Sequence, residues 1–127
     1  YCNTKRTSDW LREQLEERDF AVKCIHSNMK ERKDIMEDFR KGELRVLIAT
    51  DIISRGIDVQ QVGIVINYDI PKFKEVYIHR IGRSGRYGRK GLAINFVTHE
   101  DINRLKVIQE YYETQIEEMP EDISEYL

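Results

Sequence analysis

Several features that often reveal a function are scarce or missing in this sequence. It has only two cysteines, Cys2 and Cys24, and each lies in an apolar run without metal-ligand spacing around it. Such cysteines are typical of buried, reduced thiols, so we expect a cytoplasmic or nuclear protein that binds no metal itself. No apolar run is long enough to span a membrane, and the first residues do not resemble a signal peptide. We therefore expect no membrane partner.

Two arrangements that hold a nucleoside triphosphate are missing as well. The sequence has no G-x-x-x-x-G-K-[ST] loop to surround phosphates, and no adjacent acidic pair follows an apolar strand to hold magnesium. It also has no internal repeat and no low-complexity linker. Any nucleotide site in this chain must therefore be built from other groups.

The composition is that of one globular domain. The chain has 127 residues, of which 40% are hydrophobic and 35% are charged, so it can bury a single core. We expect one domain over residues 1–127, ending in an acidic tail over 120–127 that is exposed or disordered. The first residue is Tyr1 rather than Met, so we also expect a fragment of a longer protein.

The fold class follows from alternating patterns. Short β-branched apolar runs alternate with amphipathic runs, which is typical of an α/β protein with βαβ units on a parallel sheet. We predict strands at 1–2, 21–25, 46–49, 62–66, 92–97 and 115–119, and helices at 9–18, 30–41, 73–81 and 102–112. Thr7 or Ser8 would cap the first helix, and Thr98 with Asp101 would form a capping box before the last helix. Three aromatic residues are assigned to the core: Trp10, Phe39 and Phe96.

Polar residues follow most of the predicted strands. Because the carboxyl ends of parallel strands share one edge of a sheet, and ligands bind there, we expect these residues to lie at one site. They are Asn3, Thr4, His26, Thr50, Asp51, Asn67 and Asp69.

Residues 79–90, here called the arginine segment, have the sequence H-R-I-G-R-S-G-R-Y-G-R-K. Arginine recurs every third residue, and this period fits neither a helix nor a strand. We expect a helix that ends near Ile81 and a glycine-rich loop whose guanidinium groups face phosphate oxygens. The alternative is a solvated basic surface, but such a surface would not need three interspersed glycines. Because no magnesium-binding group accompanies these arginines, the segment indicates half of a site that another domain completes.

The other candidate residues have equally plausible structural roles. Arg55, Gly56 and Asp58 suit a loop that binds sugar hydroxyls and phosphates, but could form an ordinary strand-to-helix turn. His26 and His79 could act as bases, although a single histidine after a strand more often orients a neighbour. The remaining candidates could contact nucleic acid or serve only the fold: Lys5 and Arg6 beside Asn3 and Thr4, and Tyr87 within the arginine segment.

Four segments of the sequence carry a family resemblance: Y-C-N-T, R-V-L-I-A-T-D-I-I-S-R-G-I-D-V, V-I-N-Y-D-I-P and Y-I-H-R-I-G-R-S-G-R-Y-G-R-K-G. In this order they resemble the C-terminal RecA-like domain of DEAD-box RNA helicases, along nearly the whole chain. The endings A-I-N-F-V and Y-Y-E-T-Q-I-E-E-M-P are most similar to the branch of eukaryotic translation initiation factor 4A. The resemblance implies a three-layer α/β/α sandwich with a mainly parallel central sheet.

The resemblance also implies roles for residues at an ATP site. Arg83 and Arg86 would be arginine fingers that reach the γ-phosphate, and His79 would help couple ATP to RNA. Three residues would contact the nucleotide itself: Gly56 by close approach, Asp58 at the ribose and Tyr87 near the adenine. Magnesium would be held by the N-terminal RecA-like domain of the same protein, so this fragment alone would be inactive.

Contacts with the RNA backbone, without sequence preference, are implied for Asn3, Thr4, Arg6, Arg32, Thr50 and Arg55. Arg32 is included because the family usually has H-G-D-M followed by Q-x-x-R, whereas this chain has H-S-N-M-K-E-R from His26 to Arg32. The loop is thus expected to be two residues short, and Arg32 is the one candidate for the arginine's role. A scaffold protein of the initiation factor 4G type is a further implied partner of a monomeric helicase.

Three functional interpretations remain open from the sequence. The first is the second half of an ATP-dependent RNA helicase that opens short duplexes as two domains close. The second is an ATP-dependent RNA clamp, as in the exon junction complex, in which unwinding is incidental. The third is a nucleotide-binding α/β domain that functions without a second half.

Overall fold

The fold is described from a computed structural model, which covers residues 1–25, 31–50, 63–81, 92–122 and 124. These residues form an α/β structure in which every strand pair is parallel, as the sequence predicts. The elements in chain order are α1 (Lys5–Glu17), β1 (Val22–Ile25), α2 (Arg32–Arg40), β2 (Val46–Ala49), β3 (Ile64–Asn67), α3 (Lys74–Ile81), β4 (Leu92–Asn95) and α4 (Ile102–Tyr111). Contacts divide the chain into two compact units, Tyr1–Val59 and Gln60–Leu127.

The first unit is built around β2. Strand β1 pairs with one edge of β2, from Val22 opposite Val46 to Ile25 opposite Ala49. On the other edge the Cys2 N–H donates to the Ala49 carbonyl at 3.0 Å, and Cys2 lies opposite Thr50 in a parallel bridge. The buried apolar residues of this unit are Cys2, Val22, Cys24, Ile25, Ile35, Met36, Ile48 and Ala49. The short apolar runs of the sequence therefore do form its core.

Helix α1 begins four residues earlier than the sequence predicts, and the predicted caps are wrong. Thr4 is the N-cap: its backbone is extended, and its hydroxyl oxygen accepts from the Thr7 N–H at 3.2 Å. Ser8 lies inside the helix, buried, and its hydroxyl donates to the Lys5 carbonyl at 2.7 Å. Trp10 lies two residues after Ser8, which is about 200° round the helix. Because the Ser8 face of α1 is buried, Trp10 is on the opposite side and is 51% exposed.

Cys24 is buried in this core, and burial raises the pKa of its thiol to about 11. Less than about 1% of this thiol is ionised at pH 8, and the thiolate is the reactive form. We expect iodoacetamide at pH 8 to modify Cys24 at least about 100-fold more slowly in the native protein than in urea, as followed by peptide mass spectrometry. Equal rates would contradict this burial.

The same raised pKa has a consequence for stability. The unfolded thiol ionises first as the pH rises, so this thiol favours unfolding progressively from pH 9.0 to about 11. Above the folded-state pKa, the stability that the neutral thiol contributes is lost completely. The Cys24→Ala variant should lack this part of the pH dependence, as measured by urea unfolding at pH 8 and pH 11. An identical pH dependence in both proteins would contradict the raised pKa.

The second unit contains β3 and β4, which pair from Ile64 opposite Leu92 to Asn67 opposite Asn95. Helix α3 lies between them in the chain and packs on α4 through a core of Ile70, Tyr77 and Ile108. The Tyr112 hydroxyl adds a bond across this contact, because it donates to the Lys74 carbonyl at 2.7 Å. This packing holds α3 in place immediately before residue 82, where the remainder of the arginine segment begins.

Three predictions in this unit are wrong. Strand β4 ends at Asn95, and Phe96 is 50% exposed with its ring edge-on to Tyr68 at 5.9 Å, so it is not a core residue. Residues 115–119 form no strand, because the Ile116 N–H donates to the side chain of Gln109 at 2.8 Å rather than to another strand. In the first unit Phe39, also predicted as a core residue, is only partly buried.

The predicted capping box before α4 is confirmed. The Asp101 carboxylate accepts from the Thr98 N–H at 3.1 Å and from the Thr98 hydroxyl at 2.8 Å. Residues His99–Asp101 form a 3₁₀ turn that leads into the helix. The bond from the Thr98 N–H is the largest cause that holds the pKa of Asp101 below its ordinary value of 3.8.

We expect Asp101→Ala to lower the free energy of unfolding by about 1 kcal/mol at pH 7, because the cap is lost. A lowered folded-state pKa gives stability that is present above the ordinary pKa and lost as the pH falls through the folded-state value. The difference from the parent protein should therefore shrink below pH 4, as measured by urea unfolding. Glu100→Gln, at the exposed neighbour, is the control and should change little. A loss of the same size at pH 2 and pH 7 would contradict the role of the charge.

Candidate nucleic-acid and nucleotide site

Several predicted RNA contacts lie at the carboxyl end of the first unit's sheet. The bridge between Cys2 and Thr50 places Thr50 beside the point where the chain continues into Asn3 and Thr4. Thr50 is buried, Asn3 is partly buried and Thr4 is exposed. The structure thus brings these three predicted residues to one edge, as expected for a parallel sheet.

Helix α1 starts at this edge with an unusual charge pattern. Its first turn contains Lys5 and Arg6, both exposed, and no acidic residue. The free N–H groups of a helix start carry a partial positive charge, and cations there typically cost a few tenths of a kcal/mol to 1 kcal/mol. The cost is offset when an anion binds at the helix start. This end of α1 is therefore suited to a phosphate group.

The cap geometry limits how Thr4 can act. Its hydroxyl oxygen accepts from the Thr7 N–H, and its hydroxyl hydrogen is directed to the Thr7 hydroxyl at 3.0 Å. A contact between Thr4 and a phosphate must therefore use its backbone or rearrange the cap.

Arg32 is the exposed first residue of α2. Because α2 joins the end of β1 to the start of β2, the helix begins on the side where β1 ends.

His79 lies in the last turn of α3 and is partly buried. The other predicted nucleotide and RNA residues lie outside the described part of the chain. These are His26, Asp51, Arg55, Gly56, Asp58, Arg83, Arg86 and Tyr87. Their roles stay predictions.

One part of the prediction for the arginine segment needs correction. Arg80, predicted to face phosphate oxygens, is instead fully buried in the second unit. Its Nη1 donates to the side-chain oxygen of Asn67 at 3.1 Å and to the Asp69 carbonyl at 2.6 Å. The reason is that Arg80 is still in α3, three residues after the buried Tyr77 and on the same helix face.

The hydrogen bonds continue from Asn67 through the sheet and back to the helix. The Asn67 amide donates to the Asn95 side-chain oxygen at 2.8 Å, across the last residue pair of β3 and β4. The Asn95 amide donates to the Tyr77 hydroxyl at 3.2 Å. We call these four residues, Arg80, Asn67, Asn95 and Tyr77, the Arg80 ring, because the bonds start and finish on α3. Sequence reasoning missed it, although Tyr77 and Arg80 have helical spacing.

The helicase conserved C-terminal domain model matches residues 1–88 of this chain, which is more than half of it. The chain belongs to this family. The solved C-terminal domain of the DEAD-box protein Dbp5 is 41% identical, with a TM-score of 0.80 over 87% of this chain and 67% of that one. The chain is therefore a DEAD-box helicase C-terminal domain, and its RecA-like fold class is confirmed.

Two curated relatives match over the whole chain. Eukaryotic initiation factor 4A of Caenorhabditis elegans is 60% identical over 129 aligned positions, and the ATP-dependent RNA helicase FAL1 of Coccidioides immitis (strain RS) is 58% identical. The chain spans 32% of the length of each relative. The alignments exceed this chain by two positions, and the loop between His26 and Arg32 is predicted to be two residues short. That loop lies outside the described residues, so its length stays a prediction.

Two further DEAD-box structures resemble this chain and contain other molecules. Dbp5 of S. cerevisiae bound to RNA and ADP BeF3 is 38% identical, with a TM-score of 0.87 over 97% of this chain and 34% of that one. SrmB of E. coli bound to regulator of ribonuclease activity A is 34% identical, with a TM-score of 0.83 over 90% and 68%. Members of the family thus bind RNA, a nucleotide and partner proteins.

Two other kinds of site are absent from the described residues. Across residues 1–25, 31–50, 63–81, 92–122 and 124, no three His, Cys, Asp or Glu side chains group as metal ligands. Within the same part of the chain, no helix has the length and apolar character needed to cross a membrane.

Proposed function

We propose that this chain is the C-terminal half of an ATP-dependent RNA helicase. It would complete an ATP site begun by a preceding RecA-like domain, and it would bind the sugar-phosphate backbone of single-stranded RNA. The observation that carries the proposal is the similarity over the whole chain to an ATP-dependent RNA helicase and to initiation factor 4A. The cytoplasm or the nucleus is the proposed location.

The first unit supports the RNA-binding part of this function. Asn3, Thr4 and Thr50 share an edge with the helix start that carries Lys5 and Arg6. Backbone N–H groups, hydroxyls and basic side chains supply contacts to phosphates and sugars, and such contacts carry no sequence information. Binding should therefore be insensitive to sequence. Arg32 and Arg55 would extend the same contact.

The ATP-dependent part rests on the arginine segment. Arg83 and Arg86 would stabilise the charge that develops on the γ-phosphate as it is transferred, and His79 would link this site to RNA. Gly56, Asp58 and Tyr87 would hold the ribose and the adenine. Magnesium would neutralise phosphate charge when bound. Its ligands would belong to the preceding domain.

The mechanism that follows is closure of two domains around ATP and RNA. The RNA contacts of this half would be aligned with those of the preceding half only when the arginines reach the nucleotide. A strand gripped in this way would be bent away from a duplex, and hydrolysis would release it. The energy of nucleotide binding would thus open a short duplex locally.

The full-length protein provides the test of this function. We expect ATP hydrolysis that depends on RNA, with poly(U) and poly(A) both effective. Affinity for single-stranded RNA should fall as salt rises, by roughly 0.7 log units per tenfold increase for each phosphate neutralised. Hydrolysis that ignores RNA, or RNA binding that ignores salt, would contradict the proposal.

The second candidate function is an ATP-dependent RNA clamp, and one observation supports it. The related SrmB structure contains a bound regulatory protein, as a scaffold component would. By this alternative the parent holds RNA for partner proteins, among which a scaffold of the initiation factor 4G type is proposed, and turnover is incidental. A helicase should separate a short duplex with ATP. A clamp should instead leave it intact and stay bound to RNA for hours with a slowly hydrolysed ATP analogue.

A further inference from the structure

The Arg80 ring attaches α3 to the sheet of the second unit at two points. Arg80 binds Asn67 on β3, and Tyr77 accepts from Asn95 on β4. These two helix residues are three positions apart, which is about 4.5 Å along the axis of a helix. Two attachments on one face fix both the rotation of a helix about its axis and its position along it. They add to the packing on α4 and to the Tyr112 bond, which also hold this helix.

Burial makes this arrangement specific. Arg80 and Asn67 are fully buried, and Tyr77 is 4% exposed. A buried polar group that loses its partner costs about 1–3 kcal/mol, so alternative orientations of α3 that break the ring are disfavoured. An apolar contact would tolerate small rotations because it has no directional requirement. The ring therefore selects one orientation of the helix, whatever its net contribution to stability.

This helix leads directly to the residues proposed to act on ATP. His79 lies between the two attachment points, α3 ends at Ile81, and Arg83 follows two residues later in the chain. Beyond the arginine segment the chain re-enters the sheet at β4, the strand that carries Asn95. The ring thus joins the helix before the arginine segment to the strand after it.

We infer that the Arg80 ring is a positioning device for ATP hydrolysis, and that Arg80 is a positioning residue that contacts neither ATP nor RNA. It orients the end of α3, and through it His79 and the start of the arginine segment. The inference rests on the proposed function, because it requires Arg83 to act on the nucleotide. A misplacement of about 1 Å in a catalytic group can cost 100-fold in rate.

The test uses the full-length protein with Arg80→Lys. Lysine keeps the charge, but its nitrogen lies one bond nearer the backbone than Nη1, the atom that donates to both Asn67 and Asp69. We expect kcat for RNA-stimulated ATP hydrolysis to fall about 10–100-fold while the KM for ATP changes little, because the fingers act in the transition state. Rates are measured where circular dichroism shows a folded protein. Arg104→Lys, a matched change at an exposed arginine of α4, should leave kcat unchanged.

Tyr77→Phe is a second variant, should Arg80→Lys fail to fold. It removes only the hydroxyl that accepts from Asn95 and keeps the aromatic ring in the core. We expect a smaller fall in kcat, about 3–10-fold. Asn95→Ala breaks the same bond, so the double variant should be no slower than the slower single variant. An unchanged kcat in a folded ring variant overturns the inference.

A final comparison separates this inference from the proposed function. If the ring acts through the arginine segment, Tyr77→Phe should have little further effect on kcat in a protein that already carries Arg83→Lys. Full multiplication of the two effects would overturn the positioning role while leaving the fingers intact. No effect of Arg83→Lys alone would instead overturn the proposed function.

Discussion

Replacement of Arg83 or Arg86 by alanine is expected to lower kcat for RNA-stimulated ATP hydrolysis by about 10³–10⁵-fold, the range found when an arginine finger is supplied or removed in related phosphoryl transfers. The physical reason is that each guanidinium would neutralise charge on the γ-phosphate in a site that excludes water. Nucleotide binding in the ground state should weaken far less, because the interaction strengthens as the transition state forms.

The measurement is phosphate release by the full-length protein at saturating RNA and ATP. Arg104→Ala is the control, since Arg104 is an exposed arginine of the second unit that lies 3.8 Å from the Asp101 carboxylate. Its turnover should match that of the parent protein. Turnover of Arg83→Ala or Arg86→Ala within twofold of the parent would end the assignment of that residue as a finger.

The second large effect concerns stability. Arg80→Met should lower the free energy of unfolding by about 3 kcal/mol, because the Asn67 side-chain oxygen and the Asp69 carbonyl lose the donor seen in the structure. Methionine keeps a flexible stem of similar length, so little of the loss should come from an empty cavity. A change of this size is a large part of the stability of an ordinary domain.

Urea unfolding of the full-length protein, with a probe in the second unit, measures this change. Arg104→Met replaces an exposed arginine by the same residue and should stay within about 0.5 kcal/mol of the parent. If Arg80→Met and Arg104→Met lower the free energy of unfolding by the same small amount, the guanidinium of Arg80 is not the buried, bonded group described above. The two positions differ in burial and bonding rather than in residue type, so the comparison isolates the ring.

The elements that the sequence predicted best are those defined by a local pattern. Strand β2 has the predicted bounds, because a buried parallel strand is a continuous apolar run and Val46–Ala49 is such a run. Gly42 has a positive φ of 80° after α2, where the sequence placed a helix stop. Both signals come from the chain itself and need no knowledge of its neighbours.

The errors arise where two local signals compete. Thr4, Thr7 and Ser8 can all cap a helix, and only the extended backbone at Thr4 decides between them. The three-residue spacing of arginines suggested one common direction, yet three residues is also the spacing of Tyr77 and Arg80 on one helix face. Arg80 is therefore on the buried face of α3, which the arginine spacing alone did not indicate. Its burial is accompanied by bonds to Asn67 and Asp69, which are distant in the chain, so no local pattern reveals it.

The family and the location of the site were easier to predict from the sequence than the roles of individual residues. The family and its fold class were evident from sequence motifs, and the comparisons confirm them. The edge formed by Thr50 and the residues after Cys2 was predictable because parallel strands end together. The roles of individual residues were not, since the same side chains could serve the fold alone.

The central claim is that the arginine segment completes an ATP site that a preceding domain begins. A crystal structure of the full-length protein with single-stranded RNA, ADP and beryllium fluoride tests it most directly. We predict guanidinium nitrogens of Arg83 and Arg86 within about 3 Å of the fluoride atoms, the distance of a charge-assisted hydrogen bond. Guanidinium groups paired instead with carboxylates of their own domain, away from the nucleotide, would contradict the claim.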